Sequence, residues 1–164
     1  MTAVVDANIL ILFSRSNLFH LLTEVFDSIL ITADIYEEVV LKSAGRPGAD
    51  EVQKAQNIAQ QSLKQPEWLT KLTEYNIDSA DASIVQLASE CQPDFLLSDD
   101  RRVREIAQRL DIPIMGSGGL LIAAKSRGLI PEVTSQLNQL RLHGARISER
   151  TYRDILRAAG EQVV

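Results

Sequence analysis

The sequence predicts a three-layer α/β protein, in which helices cover both faces of a mostly parallel central sheet. Short apolar segments of strand length alternate along the chain with longer segments of helical periodicity. Such alternation is typical of repeated β-α-β units, whose connecting helices pack on the two faces of the sheet. A further observation is that two of the predicted strands stop at aspartates, so the sheet edge carries acidic groups.

Four segments have the length and the apolar composition of buried strands. The first starts at Ala3 and stops at Asp6, and the others cover residues 28–31, 95–97 and 112–115. The third is followed directly by Ser98-Asp99-Asp100. Because parallel strands end at the same edge of a sheet, Asp6 and the Asp99-Asp100 pair are expected near each other if their strands are neighbours.

Helices are predicted between and after these strands from apolar spacing and from terminal residues. Thr32 is a predicted N-cap, and Ser43–Gly48 is a predicted loop because it contains two glycines and a proline. A polar, glutamine-rich surface helix is expected over residues 49–62, and residues 66–75 have no predicted structure. The remaining predicted helices cover residues 9–13, 18–26, about 78–91, 101–110, 120–125, 131–142 and 149–159.

Composition excludes several classes of protein. The 164 residues fit one domain, and the formal net charge of −5 disfavours a globally basic nucleic-acid binder. Cys91 is the single cysteine, so no disulfide framework exists, and His20 and His143 do not complete a zinc site. No apolar segment reaches the roughly 20 residues that span a bilayer, and the first strand starts too early for a signal peptide. We therefore expect a cytoplasmic protein.

Asp81 is predicted to point inward from a helix. At about 100° per residue it falls on the apolar face of that helix, and burial of an unpaired carboxylate is costly. It must therefore be protonated, hydrogen-bonded or bound to a cation. The predicted buried face contains Ala80, Ile84, Leu87, Ala88 and Cys91, whereas Ser83, Gln86, Ser89 and Glu90 fall opposite.

The acids together indicate a metal site. Asp6, Asp81 and the Asp99-Asp100 pair could be joined by Glu37 or Glu38, which flank an apolar helix face and which periodicity does not distinguish. Carboxylates without nearby histidine or cysteine suit Mg²⁺ or Mn²⁺. Such sites support phosphoryl transfer, because the ion polarises the phosphate and lowers the pKa of water.

Each acid also has a simpler interpretation. Asp100 and Asp6 could be N-caps, Asp78 and Asp81 could form a variant capping box, and the glutamates could be solvated. Gly116-Ser117-Gly118-Gly119 could contact a phosphate, but it matches neither common phosphate-binding fingerprint and a tight turn explains it as well. Arg101, Arg102 and Arg104 fit either a basic rim or a solvated helix face.

Five segments together resemble a PIN domain, of the subgroup related to toxin ribonucleases of prokaryotic type II toxin-antitoxin modules. These segments are residues 5–8, 36–40, 78–88, 96–104 and 116–130. The resemblance implies a nuclease domain over residues 1–130, with the helices of residues 131–164 packed on it or extending it. It also implies a metal-dependent ribonuclease for single-stranded RNA, an antitoxin partner and a homodimer, without membrane association.

Carried over position by position, the resemblance implies a site of four acids. These are Asp6, Glu38, Asp81 and one of Asp99 or Asp100, with Asn8 and Ser98 as supporting polar groups and Mg²⁺ or Mn²⁺ as the cofactor. The resemblance, rather than periodicity, selects Glu38. The chain departs from the subgroup at Ala80-Asp81, where Gly-Glu is usual, and the shorter acid implies a weaker metal site.

Two alternatives therefore accompany the ribonuclease prediction. One is a catalytically weakened domain that only binds RNA or a partner protein. The other is a phosphatase or phosphotransferase with Asp6 as the nucleophile, although such enzymes resemble a strand ending in Asp-x-Asp and position 8 here is Asn8.

Overall fold

The apolar segments form one parallel sheet. The computed structural model describes residues 1–163, apart from the side chain of Leu69. Within these residues the sheet has five strands in the order β3-β2-β1-β4-β5, every neighbouring pair being parallel. The predicted fold class is confirmed. The strands are β1 (Thr2–Val5), β2 (Ser28–Ile31), β3 (Ile58–Gln60), β4 (Phe95–Leu97) and β5 (Ile114–Met115).

Helices fill the connections, with ten α-helices and one π-helical segment in the described part of the chain. The π-helical segment, Glu37–Leu41, continues directly from α3. The α-helices are α1 (Ala7–Arg15), α2 (Phe19–Val25), α3 (Ala33–Tyr36), α4 (Ala49–Lys54), α5 (Trp68–Thr73), α6 (Ser79–Cys91), α7 (Arg101–Arg109), α8 (Ser117–Ser126), α9 (Thr134–Leu142) and α10 (Glu149–Ala158).

The helices pack in two groups, which form the outer layers. In one group α6 contacts α3, α5 and α7, and in the other α8 contacts α2, α9 and α10. Apolar side chains from both groups and from the sheet join one core, in which Val4, Val5, Leu96 and Leu97 are fully buried. A strand buried on both faces reads as a continuous apolar segment, which explains why β1, β2 and β4 were visible in the sequence.

The order of the strands creates a crevice between β1 and β4. The chain places β2 and β3 on one side of β1, and then crosses to place β4 and β5 on the other. Ligands of open α/β sheets bind at the carboxyl ends of the strands where the order reverses in this way. Val5 pairs with Leu97, so the residues that follow them, Asp6 and Ser98, emerge side by side at this crevice.

Three predictions of local structure were wrong or incomplete. The helix expected over residues 49–62 ends at Lys54 and is followed by the edge strand β3, whose three residues are too few and too polar to show a strand pattern. Residues 66–75, left without a prediction, contain α5. Ser83 and Gln86 are buried rather than exposed, because α6 is covered by helices as well as by the sheet.

The two last helices are fixed to α8 and its surroundings. The Glu161 carboxylate accepts hydrogen bonds from Lys125 Nζ at 2.8 Å and from the Thr134 N–H at 2.9 Å. Gly118 lies so close to α10 that an added Cβ would be 2.5 Å from Ile155 Cδ1. The division of the chain at residue 130 stays a prediction.

No helix within residues 1–163 combines the length and the apolar character needed to cross a membrane.

Candidate active site

Asp6 is the buried centre of the candidate site. Its N–H donates to Leu97 O at 3.1 Å, and the whole residue is only 2% exposed. Oδ1 accepts the N–H of Ile9 at 2.8 Å, so Asp6 is the N-cap of α1. Burial raises the pKa of Asp6 to about 7, with the charges of Asp99 and Asp81 adding to the increase and hydrogen bonds from Ser98 and Ile9 opposing it. The carboxylate form of Asp6 is therefore poorly compensated.

Asp99 and Asp100 follow β4 but have different surroundings. Asp99 accepts from both the N–H of Ser117, at 2.8 Å, and the hydroxyl of Ser117. Asp100 accepts the N–H groups of Arg102 and Val103 with Oδ1, at 2.9 and 3.1 Å, and so caps α7. In residues 1–163, Oδ2 of Asp100 has no hydrogen-bond partner, whereas both oxygens of Asp99 have one.

Ser98 links these acids to the sheet. The residue is fully buried, its hydroxyl accepts the N–H of Asp100 at 3.1 Å, and it acts to lower the pKa of Asp6. Asn8 lies in the first turn of α1, two residues after Asp6, and is exposed at the same cleft. Both residues lie beside the acidic cluster, and their supporting role stays a prediction.

Asp81 approaches from the first turn of α6. It is half-buried, and its N–H donates to Oδ1 of Asp78, the N-cap of the helix, at 2.8 Å. Burial, together with the charges of Asp78, Asp100 and Glu38, raises the pKa of Asp81 to about 6. Asp78 was predicted only as a capping residue, and its place in the acidic cluster was missed because capping and clustering use the same residue type.

The structure separates Glu38 from Glu37. Glu37 is exposed and lies 3.6 Å from Lys42, whereas Glu38 is half-buried. Burial and the charge of Asp78 raise the pKa of Glu38. Both residues belong to the π-helical segment, a geometry that is frequent at functional sites and that no periodicity of 3.6 residues could anticipate.

The acids form an electrostatically coupled cluster rather than a closed ligand set. Adjacent strands are about 4.8 Å apart and consecutive Cα atoms 3.8 Å, so the Cα atoms of Asp6 and Asp99 lie within about 9 Å of each other. Among the described residues, however, no three His, Cys, Asp or Glu side chains are positioned to hold one metal ion. The donor chemistry, hard oxygens with uncompensated negative charge, fits a divalent cation such as Mg²⁺ or Mn²⁺.

A cleft of about 920 Å³ opens beside this cluster. Asp6, Asp99 and Asp100 line one part of it, and Arg15 and Arg146 line others. Glu38 and Asp81 are not among its lining residues and approach the cluster from the layer that contains α3 and α6. The sequence carries no signal for Arg15 or Arg146, because their position at the cleft depends on the packing of α1 and α10.

The glycine-rich turn has a packing role. An added Cβ on Gly116 would be 2.7 Å from Asp99 Oδ1, and one on Gly119 would be 2.9 Å from Met115 Cγ. Asp99 also occupies the N–H of Ser117 at the start of α8. These contacts, together with that between Gly118 and Ile155, favour the tight-turn interpretation over a phosphate-binding loop.

The arginines at the start of α7 mostly have protein partners. Arg101 pairs with Glu105 at 3.0 Å, and Arg102 donates to the carbonyl of Asn76 at 2.7 Å. Arg104 lines the cleft and lies 3.4 Å from Ser98 O. These contacts favour a structural role for Arg101 and Arg102 rather than a basic rim.

The observations define a parallel α/β protein with an acidic cluster at the reversal point of its sheet. A family model described as a PIN domain matches residues 2–161. The chain therefore belongs to the PIN-domain family, whose members are generally nucleases. The predicted resemblance to a PIN domain is confirmed, whereas the toxin subgroup stays a prediction. A comparison with curated proteins finds no match.

Proposed function

We propose that the protein is a metal-dependent ribonuclease that hydrolyses phosphodiester bonds of single-stranded RNA. The main support is the coupling of Asp6 and Asp81: both acids have raised pKa values, each increased by the charge of neighbouring acids. Carboxylates that repel one another in this way are stabilised by a shared cation. Membership of the PIN-domain family supports the choice of nuclease chemistry.

The proposed roles follow from the surroundings of each acid. Asp6 and Asp100 hold the ion, because Asp6 is the coupled, buried centre and Asp100 keeps one free oxygen. Asp99 contributes through its charge while its oxygens bind Ser117. A bound Mg²⁺ or Mn²⁺ would supply polarisation of the phosphate and a lower pKa for the attacking water.

Asp81 and Glu38 act from the other layer. Asp81 either ligates the ion or accepts a proton from the attacking water, because its pKa of about 6 suits proton transfer near neutral pH. Glu38, whose pKa is raised by burial and by the charge of Asp78, positions the attacking water. Asn8 donates hydrogen bonds from its exposed amide to a phosphate, and Ser98 orients Asp6. These roles extend the predicted site without adding another acid.

The test is cleavage of a fluorescently labelled single-stranded RNA with Mg²⁺ or Mn²⁺ and with chelator. We expect cleavage by the wild type with metal, and none by Asp6→Asn. Asp94→Asn is a matched control, because it makes the same chemical change at an exposed residue. Asp94 accepts the Thr2 N–H at 2.7 Å. Cleavage by Asp6→Asn at the wild-type rate would refute the assignment.

A second candidate is a catalytically weakened domain that binds RNA or protein without cutting RNA. It is favoured by the lack of a three-acid ligand set among the described residues and by the short acid in Ala80-Asp81. The two candidates differ in one measurement, since the weakened domain would bind the labelled RNA and leave it intact with either metal.

A toxin role rests on the sequence resemblance. It predicts that expression of this chain arrests bacterial growth, that Asp6→Asn removes the arrest, and that a small protein encoded beside it restores growth. Size-exclusion chromatography of the chain alone and with that protein would test both the homodimer and the antitoxin.

A further inference from the structure

The cleft beside the acids is an elongated trough with two different walls. One wall is a single face of α1, because its lining residues Asn8, Ile11, Leu12 and Arg15 follow the spacing i, i+3, i+4 and i+7. The other wall consists of α10 and the loop of residues 143–147 that precedes it. Asp6 caps one end of α1 and Arg15 lies in its last turn, so the trough extends about 13 Å from the acids to this arginine.

Three basic side chains in the trough have no protein partner. Arg15, His143 and Arg146 are exposed, and within residues 1–163 none of their side chains makes a hydrogen bond or an ion pair. Arg141, in contrast, is engaged by Glu149, and the other exposed arginines without a partner in residues 1–163, Arg46, Arg109 and Arg153, do not line the trough. In a protein with a net charge of −5, this local group of uncompensated basic side chains indicates an anionic ligand.

The loop that carries two of these side chains is braced. Arg141 donates to the carbonyl of Ile147 at 3.3 Å and to Glu149 Oε1 at 2.5 Å. Its guanidinium also lies over the ring of Tyr152, 4.5 Å from the centroid. The loop therefore presents His143 and Arg146 from a fixed shape, which lowers the entropy lost when a ligand binds.

We infer that this trough binds the RNA strand on one side of the scissile phosphate, with Arg15 and Arg146 contacting successive phosphates and His143 offering a stacking or hydrogen-bonding surface. The inference rests on the proposed ribonuclease function and adds where the substrate lies. A basic groove that follows the backbone, with ring surfaces for the bases, is how proteins hold single strands without sequence preference.

An acidic peptide is the competing ligand, and the observations favour RNA. The acids Asp6, Asp99 and Asp100 line the same trough and repel a peptide carboxylate. A phosphodiester strand instead places one phosphate at the acids, where the proposed cation neutralises the charge of the phosphate and of the acids. Its next phosphates then lie at the basic side chains. The alternation of acidic and basic regions therefore matches a polyanion that is to be cut.

The test is fluorescence anisotropy of a labelled, mixed-sequence single-stranded RNA in EDTA, which prevents cleavage. The double variant Arg15→Ala/Arg146→Ala should bind about 20-fold more weakly at roughly 0.1 M salt, and the salt slope of its binding constant should fall by about 1.4. The matched control is Arg109→Ala/Arg153→Ala, which removes the same charge at exposed residues outside the trough and should change binding less than twofold. Melting temperatures establish that both variants fold.

Each outcome separates this inference from the proposed function. Equal losses in the two double variants, no binding by the wild type, or stronger binding of a poly-glutamate peptide than of RNA would overturn the trough assignment. Trough-dependent binding without cleavage in Mg²⁺ or Mn²⁺ would uphold it and reject the nuclease. Metal-dependent cleavage with unchanged affinity in Arg15→Ala/Arg146→Ala would uphold the nuclease and reject the trough assignment.

Discussion

Replacement of Asp6 by Asn is expected to stabilise the metal-free protein. Asp6 has its pKa raised from 3.8 to about 7, so the folded state holds its proton more tightly than the unfolded state. The contribution of Asp6 to stability is therefore fully present below pH 3.8, and it is lost as the pH rises through about 7. Asn cannot ionise, but its side-chain oxygen can still accept the N–H of Ile9 and cap α1.

The magnitude follows from the shift. A difference of about three pKa units at 1.36 kcal/mol each gives about 4 kcal/mol at pH 8, the free energy of unfolding that Asp6→Asn should recover. At pH 5 the unfolded carboxyl is ionised and the folded one is not, so the expected gain is only about 1–2 kcal/mol. In a chain of this size the gain at pH 8 corresponds to a rise in melting temperature of about 10 °C.

The assay is urea unfolding in EDTA at pH 5 and pH 8, with Asp94→Asn as the control. Asp94 is exposed and lies at the opposite end of its strand from the cluster, so its variant should match the wild type within about 0.5 kcal/mol at both pH values. A loss of stability in Asp6→Asn at pH 8, or a gain equal at the two pH values, would refute the argument that repulsion and burial strain this carboxylate.

The remaining predictions concern the metal and the C-terminal helices. Mg²⁺ or Mn²⁺ at about 100 times its dissociation constant should raise the free energy of unfolding of the wild type by about 2.7 kcal/mol, and calorimetry should detect no such rise in Asp6→Asn. Gly118→Ala should lower the free energy of unfolding by about 1–3 kcal/mol, because the added Cβ clashes with Ile155. Ile155→Ala in the same chain should remove the clash. Chemical denaturation should therefore show that the double variant is more stable than the sum of the two single effects predicts. Glu161→Gln should lose about 2 kcal/mol at neutral pH, because the carboxylate accepts from Lys125 and Thr134. The pKa of Glu161 is lowered from 4.5 to about 2, so its contribution is present above pH 4.5 and disappears as the pH falls through about 2, where urea melts of the variant and the wild type should converge.

The sequence predicts four of the five strands and misses the edge strand β3. Strands that are buried on both faces, such as β1 and β4, need continuous apolar residues, and these are visible without any knowledge of their neighbours. The edge strand β3 is held by pairing with β2, and two of its three residues are exposed, so its sequence resembles a polar helix. The local pattern of apolar residues predicts strands that are deeply buried. It fails for a strand that is held only by hydrogen bonding to its neighbour.

The candidate site shows the same division. Asp6, Asp99 and Asp100 were predictable because each follows a buried strand, and the topology then brings their strands together. Arg15 and Arg146 were not predictable, because the trough between them exists only when α10 packs against Gly118 on α8. Residues attached to the sheet edge can be placed from the sequence, whereas residues gathered by helix packing require the structure.

The simpler interpretations of the acids turn out to be compatible with a site. Asp6, Asp78 and Asp100 are indeed N-caps, of α1, α6 and α7, and in each of them it is Oδ1 that accepts backbone N–H groups. Capping fixes the carboxyl group at the start of a helix and leaves Oδ2 directed elsewhere. It also places the partial positive charge of three helix ends beside the cluster, which partly offsets the repulsion among its acids. Capping and the proposed ion binding therefore use different oxygens of the same residues, so a cap at the carboxyl edge of a parallel sheet is no argument against a metal ligand.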